Sequence, residues 1–212
     1  ATSSSSITTV SSFGLVTSVA DGTVTITATS GLVSTTASVS VAQTAASITL
    51  APTSLSFTSI DDTASFVATV KDASGNTMSG ATVTWATSSS SVATVSPAGL
   101  VTALTDGTAT ITATVGSLQA TATVRVAQEA AIIELSPPNL FFSSVGDTAT
   151  FTATVQDQNG VPIAGTTVAW ASSDTGMATV SDEGLVTGLA VGSATITATS
   201  GLVSTTASVS VA

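Results

Sequence analysis

Apolar and polar residues alternate along most of this chain. In TASFVATV (63–70), Phe66, Ala68 and Val70 fall on one side, and Ser65, Val67 and Thr69 on the other. In GTATITATV (107–115), Ala109, Ile111 and Ala113 face one way and Thr108, Thr110, Thr112 and Thr114 the other. Leu118, Ala120, Ala122, Val124 and Val126 form a further apolar row. A period of two, with β-branched Thr opposite the apolar row, predicts antiparallel sheet with one wet face. No helical stripe competes with it. Turn signals bound the rows: DASGNTMSG (72–80), DQNGVPIAG (157–165), Ser96–Gly99, Ser181–Gly184 and Thr105-Asp106-Gly107 supply the Asp, Asn and Gly of tight reversals. Strands are predicted near 47–50, 54–58, 63–71, 82–87, 92–95, 100–104, 108–115 and 118–126. Seven or eight short strands at this spacing describe a two-sheet sandwich.

The pattern repeats. Residues 43–127 align without a gap on 128–212, a period of 85 residues, with more than half of the positions identical. Residues 1–42 align on the second half of each unit, and TITATSGLVSTTASVSVA occurs identically at 25–42 and 195–212. Fixed-period self-similarity marks a modular array. The expected organisation is the C-terminal half of a domain at 1–42, then whole domains at 43–127 and 128–212. The half unit leaves Ile26, Ala28, Val33 and Val39 on half a core, which does not offset the entropy of ordering it. It is therefore expected to be a window on a longer array, with a super-repeat of two domains. Between units the chain reads VSVAQTAASITL (39–50) and VRVAQEAAIIEL (124–135), without Gly or Pro. Such joints are expected to be short and stiff, unlike a Gly/Ser linker.

Composition narrows the chemistry. Lys71 and Arg125 are the only cations against 12 Asp and Glu, for a net charge of −10. That excludes a phosphate-tracking surface for nucleic acid and disfavours docking on anionic lipid. Cysteine and histidine are absent, which excludes disulfides, thiolate chemistry, Ser-His-Asp triads and His-based metal sites. No apolar run is long enough to span a bilayer, and the opening ATSSSS is no signal peptide. Ser and Thr supply more than a third of the chain. The compositional lean is to an extracellular or cell-surface protein whose export signal is not in this sequence.

GDTATFTATV (146–155), the Gly-bearing turns before TVTW (82–85) and TVAW (167–170), SVATVSPAGLVTAL (91–104) and GTATITAT (107–114) resemble the bacterial Ig-like domain, group 2 family. The resemblance covers essentially the whole chain. It implies tandem β-sandwiches of Ig-like topology, preceded here by a half-sandwich. It also implies occurrence in bacterial surface proteins, large adhesins and phage virion proteins, and no catalytic residues. Asp61, where the other unit has Gly146, departs from the pattern in a turn.

Few residues suggest a site. Asp62, Asp72, Asp147 and Asp157 lie in turns, where a carboxylate either caps its own turn or joins the oxygen shell of a calcium ion. Turn-capping is the simpler reading, and calcium is the one cofactor worth testing. Glu129 and Glu134 flank a joint, but Thr44 and Thr49 replace them at the other. Trp85 and Trp170 sit on core-facing positions, as in Ig-like sandwiches. Phe13 and Phe141, whose counterparts are polar or small, are candidate contact residues. The Thr rows are good strand formers, with O-glycosylation or lattice contacts as the other reading, and the edges carry almost no Lys to block pairing.

The expectation is a non-enzymatic structural or adhesive segment of a large extracellular bacterial surface or filament protein, a stalk or fibre. The alternative is a phage virion module or a glycan-binding surface domain. Its partners would be neighbouring repeats of the same or identical chains, or surface glycans, with neither nucleic acid nor membrane insertion.

Overall fold

The structure is a computed structural model and describes all 212 residues. Every regular element is a strand, so no helix is long and apolar enough to cross a membrane. Residues 1–42 carry β1 (Thr8–Val10), β2 (Val16–Ser18), β3 (Gly22–Ser30) and β4 (Val33–Val41). Residues 43–127 carry β5 (Ala45–Ala51), β6 (Ser54–Phe57), β7 (Thr63–Ser65), β8 (Val67–Asp72) and β9 (Thr84–Thr87). They continue with β10 (Ala93–Val95), β11 (Leu100–Ala103), β12 (Gly107–Val115) and β13 (Leu118–Val126). The last repeat holds β14 (Ile132–Ser136), β15 (Leu140–Phe142), β16 (Thr148–Thr150), β17 (Thr152–Gln156) and β18 (Ala169–Ser172). It ends with β19 (Ala178–Val180), β20 (Leu185–Gly188), β21 (Gly192–Ser200) and β22 (Val203–Val211).

The chain divides into two compact units. One gathers Ala1–Leu50, Ala68–Thr84 and Ala113–Ala120; the other gathers Ala51–Val67, Trp85–Thr112 and Thr121–Ala212. The division passes through residues 43–127 and does not follow the period of the sequence.

Within the second unit, residues 128–212 form a complete sandwich. One layer is the sheet β15-β22-β21-β18; the other is made of β14-β17 and β16-β20-β19. Phe142, Phe151, Val186, Ile196 and Val209 fill one core cluster. Ile133, Val155 and Ala198 fill a second, and Trp170 packs against both. The alternation that predicted these strands is what aims the apolar rows inward: Ala194, Ile196 and Ala198 are buried on β21, and Ala207, Val209 and Val211 on β22.

Two features depart from the expected strands. The run 63–71 is interrupted at Phe66, so that β7 pairs with β11 while β8 pairs with β5. Phe151 divides β16 from β17 in the same way. In both places the aromatic backbone N–H leaves the ladder for a turn glycine: Phe66 to Gly99 O (2.9 Å) and Phe151 to Gly184 O (3.0 Å). The side chain is driven into the core, where Phe151 stacks on Trp170 with ring centroids 6.2 Å apart. The glycine is required. At Gly184 (φ +79) a Cβ would lie 2.5 Å from Phe151 O and 3.0 Å from the Trp170 ring. The second departure is parallel pairing of β15 with β22 and of β6 with β13. It arises because the first strand of each repeat is split by a proline segment and its second half crosses to the opposite layer. The only non-glycine residue with positive φ is Asp61 (φ 66), in the place where the other repeat has Gly146 (φ 93). An acidic residue tolerates the left-handed region better than most, so the turn is kept.

Truncating Phe151 to Ala removes a fully buried ring and is expected to cost about 3–5 kcal/mol, read by denaturant unfolding through the fluorescence of Trp170 beside it. Asp61→Gly relieves the left-handed backbone and is expected to add roughly 0.5–1 kcal/mol, measured by the same titration.

Candidate functional site: the joint between repeats

The residues that bind one repeat to the next come from three places in the sequence. At the second joint the chain passes from β13 to β14 through Ala127–Ala131. Ala127 and Glu129 donate to Phe57 O (3.0 Å) and Thr58 O (2.9 Å) of the preceding repeat, and Ala131 donates to Gln156 O (2.9 Å) of the following one. The connector is therefore bonded through its backbone to both repeats.

Side chains complete the attachment. Gln128 N–H donates to Asp106 Oδ1 (2.8 Å), in the turn before β12. Its amide Nε2 donates to Asp157 Oδ2 (2.9 Å), at the end of β17. The same Asp157 oxygen accepts the backbone N–H of Ile60 (2.9 Å), ninety-seven residues away in the preceding repeat. Oδ1 accepts the N–H groups of Asn159 (3.0 Å) and Val161 (2.9 Å), closing the turn. Asn159 Nδ2 returns to Ile60 O (2.7 Å) and Asp62 Oδ1 (3.1 Å). Asp157 is 0% exposed. Burial pushes its carboxyl up, but the hydrogen bonds from Gln128, Ile60, Val161 and Asn159 prevail and hold it below its ordinary 3.8.

The first joint repeats this plan in part. Gln43 N–H meets Asp21 Oδ1, and Gln43 Nε2 donates to Asp72 Oδ2 (2.8 Å). Asp72 Oδ1 accepts Ser74 N (2.9 Å) and Asn76 N (2.8 Å), and Oδ2 takes Asn76 Nδ2 (3.2 Å). The Gln43 side chain and then the Asn76 N–H hold the Asp72 carboxyl below its ordinary 3.8, against a smaller effect of burial. Here no side chain replaces Asn159, whose counterpart is Ser74, and Asp72 stays half-exposed. Equivalent grooves open at the two joints. One of about 420 Å³ is lined by Val19, Asp21, Gln43, Thr77 and Met78, and one of about 400 Å³ by Leu104, Asp106, Gln128, Pro162 and Ile163.

Of the four carboxylates singled out as calcium candidates, the structure brings Asp62 and Asp157 to one joint and places Asp72 at the other. Asp147 is apart, in its own turn, accepting Ser144 N (3.0 Å). No three acidic side chains converge as a metal-holding group. Phe13 and Phe141 are 98% and 73% exposed, and Ser11 Oγ braces the turn that presents Phe13. Trp170 is half-buried against both cores. Sequence reasoning missed Gln43, Gln128, Ile60 and Asn159. The signal was present for the glutamines: Gln and Asp recur at 43/128, 72/157 and 21/106.

Comparison with known proteins adds the following. The model of the bacterial Ig-like domain (group 2) matches residues 44–126 and 131–211. Ice-binding protein 1 of Shewanella frigidimarina (strain NCIMB 400) is 37% identical over 123 residues, covering 57% of this chain and 14% of that protein. The S-layer protein SbsC matches at 24% identity over 100% of this chain and 34% of its own, with a TM-score of 0.40. Invasin, a bacterial integrin-binding protein, matches at 21% identity over 93% of this chain and 47% of its own, with a TM-score of 0.45. The chain thus spans one seventh of the curated relative and a third to a half of these solved structures.

Asp157→Ala strands the Ile60 N–H and the Gln128 amide inside the joint, an expected loss of about 1–3 kcal/mol read by thermal unfolding; Asp72→Ala, half-exposed, should lose less. Because both carboxyls lie below 3.8 in the folded chain, their contribution is full above that value and disappears as pH falls through the lowered one. Hydrogen exchange at the Ile60 and Val161 amides should therefore stay slow from neutral pH to about 4 and quicken only below it, relative to core amides at the same pH.

Proposed function

The chain belongs to the bacterial Ig-like domain (group 2) family, and from that premise we propose that it is a non-enzymatic spacer in an extracellular bacterial surface protein, a stalk segment that holds distance between what lies on either side of it. The observation that carries this reading is the joint. A connector whose backbone is bonded to both neighbours, and a buried carboxylate whose donors come from two repeats, resist bending in a way a free linker does not. A chain without His or Cys, with a single Lys and no converging carboxylates, supports a mechanical role over a catalytic one.

A second reading is adhesive. The outward face of β21–β22 sets Ser193, Thr195, Thr197 and Thr199 opposite Ser210, Ser208, Thr206 and Ser204, a ladder of hydroxyls without a charge. Such a face suits a hydroxyl-rich solid or glycan, or a neighbouring chain, and Phe141 lies on the same outward side, opposite Ser210.

Small-angle scattering decides the first reading. Residues 43–212 should give an elongated particle that grows by ~35–45 Å per repeat, the length of a ten-residue strand plus its end loops. The paired change Gln128→Ala with Asp157→Ala should broaden the distance distribution without unfolding either sandwich. A compact particle, or no response to the paired change, would end the spacer reading. Retention on a glycan array that disappears with Thr195→Lys and Thr197→Lys would favour the adhesive one.

A further inference from the structure

The two whole repeats agree at more than half of their positions, so a place where they differ in one chemical direction is informative. One such place lies on the last sandwich. A groove of about 280 Å³ runs between Phe151 at the break of β16 and β17, Trp170 on β18, and the turn Ser181–Gly184. Its apolar floor of Phe151, Ala153, Val168 and Trp170 recurs in the preceding repeat as Phe66, Ala68, Val83 and Trp85. Its polar wall does not. Thr150, Thr152, Thr166, Asp182 and Glu183 line the opening, and their counterparts are Ser65, Val67, Ala81, Pro97 and Ala98. The sandwich does not require the polar set, since the preceding repeat makes the same turn bonds without it: Gly99 donates to Ser96 O (2.9 Å) as Gly184 does to Ser181 O (3.0 Å).

The hydrogen-bonding groups of the groove complement one another. A Cβ on Gly184 would sit 3.2 Å from Trp170 Cε2, so only a glycine lets the edge of the indole that carries the N–H lie against this turn. No buried polar side-chain atom of the chain lacks a partner. The half-buried indole has none within the protein, so its N–H opens to solvent. It is a donor only. The turn beside it presents acceptors: Ser181 Oγ donates to Glu183 Oε2 (3.0 Å) and orients that side chain, and Asp182 is exposed next to it. Thr166 Oγ1 gives its proton to Ile163 O (3.2 Å) and keeps its lone pairs for a ligand. A ligand that satisfies this set both donates and accepts. A hydroxyl does so, and an ammonium, a donor only, does not. The carboxylates repel an acidic ligand. The volume falls below the ~300–1,000 Å³ of sites for drug-sized molecules, which limits the occupant to one small polyhydroxyl unit.

We propose that this groove binds one uncharged sugar ring of a glycan through its hydroxyls. The Trp170 N–H donates to one hydroxyl, the carboxylates of Glu183 and Asp182 accept from its neighbours, and Thr152 and Thr166 close the sides. Recognition is at the indole edge, since Phe151 stacks on one ring face. The preceding repeat has the tryptophan without the polar wall, so the site belongs to the last repeat and not to Trp85. The inference is independent of the spacer reading, which concerns the joints. It is also separate from the hydroxyl face of β21–β22, because Trp170 pairs with the buried Ala198 while Thr195 and Thr197 alternate to the outward side.

The test is NMR of the full chain, isotope-labelled so that its two tryptophans give one indole N–H signal each. Glucose, galactose, mannose and N-acetylglucosamine are added in turn at millimolar concentration. At least one of them should move the Trp170 signal to saturation and leave that of Trp85 in place. Asp182→Pro with Glu183→Ala gives the turn the residues of Pro97 and Ala98. In that variant the movement should be lost while the amide spectrum of the sandwich is retained. Thr195→Lys with Thr197→Lys should leave the movement unchanged. The proposal is overturned by no saturable movement with any of these sugars, or by equal movement of both indole signals. Movement that survives the turn variant, or that disappears in the paired Lys variant, overturns it too. Movement with lysine amide and with no sugar also overturns it and assigns the groove to a cationic side chain of a protein partner.

Discussion

A carboxylate sealed from water keeps its charge only where donors replace the water, and at Asp157 those donors come from two successive repeats. The constraint works in both directions. Separating the repeats would leave the Ile60 N–H without its acceptor and the carboxylate without one of its four donors. The repeats on either side are built of ordinary β strands with buried apolar rows. The buried carboxylate of one repeat is completed by a backbone donor from the repeat before it.

That dependence links composition to mechanics. With only two cations, the chain has almost no means of joining repeats by ion pairs, and exposed pairs contribute little in any case. It joins them with neutral donors on carboxylates, of which Asp157 is buried, reinforced by backbone bonds along the connector. Such contacts are less sensitive to salt than surface charges are. The Ser and Thr that keep the outer faces soluble without charge form regular ladders, so the surface that avoids ion pairs also offers repeated hydroxyls to whatever lies alongside.

The legible part of the fold was large. Alternation placed the long hairpin of β12–β13 almost to the residue, because period-two burial is written directly into the order of side chains. The turns followed from Asp, Asn and Gly. The break of the predicted strand 63–71 at Phe66 was not legible, since the alternation runs through it undisturbed; only the glycine across the sheet takes its N–H away. The parallel pairing of β15 with β22 was hidden for a similar reason: strand direction is a matter of which layer the chain crosses to. Asp72 and Asp157 were singled out as turn acids, but their bonds to Gln43, Gln128 and Ile60 span 29 to 97 residues, beyond any local pattern.

The amino-acid order alone settled the all-β class, the 85-residue period, the inward and outward rows and the absence of histidine and cysteine chemistry, because each is a property of near neighbours or of composition. Tertiary structure decided where those rows meet a partner. The hairpins at 22–41 and 192–211, identical from Thr25 and Thr195 onward, show this most directly: they form the same strands in the same register, yet Ala198 is sealed and Ala28 is open. Hydrogen bonding within a hairpin is local and travels with its sequence; burial of its face is made by strands that the hairpin does not contain.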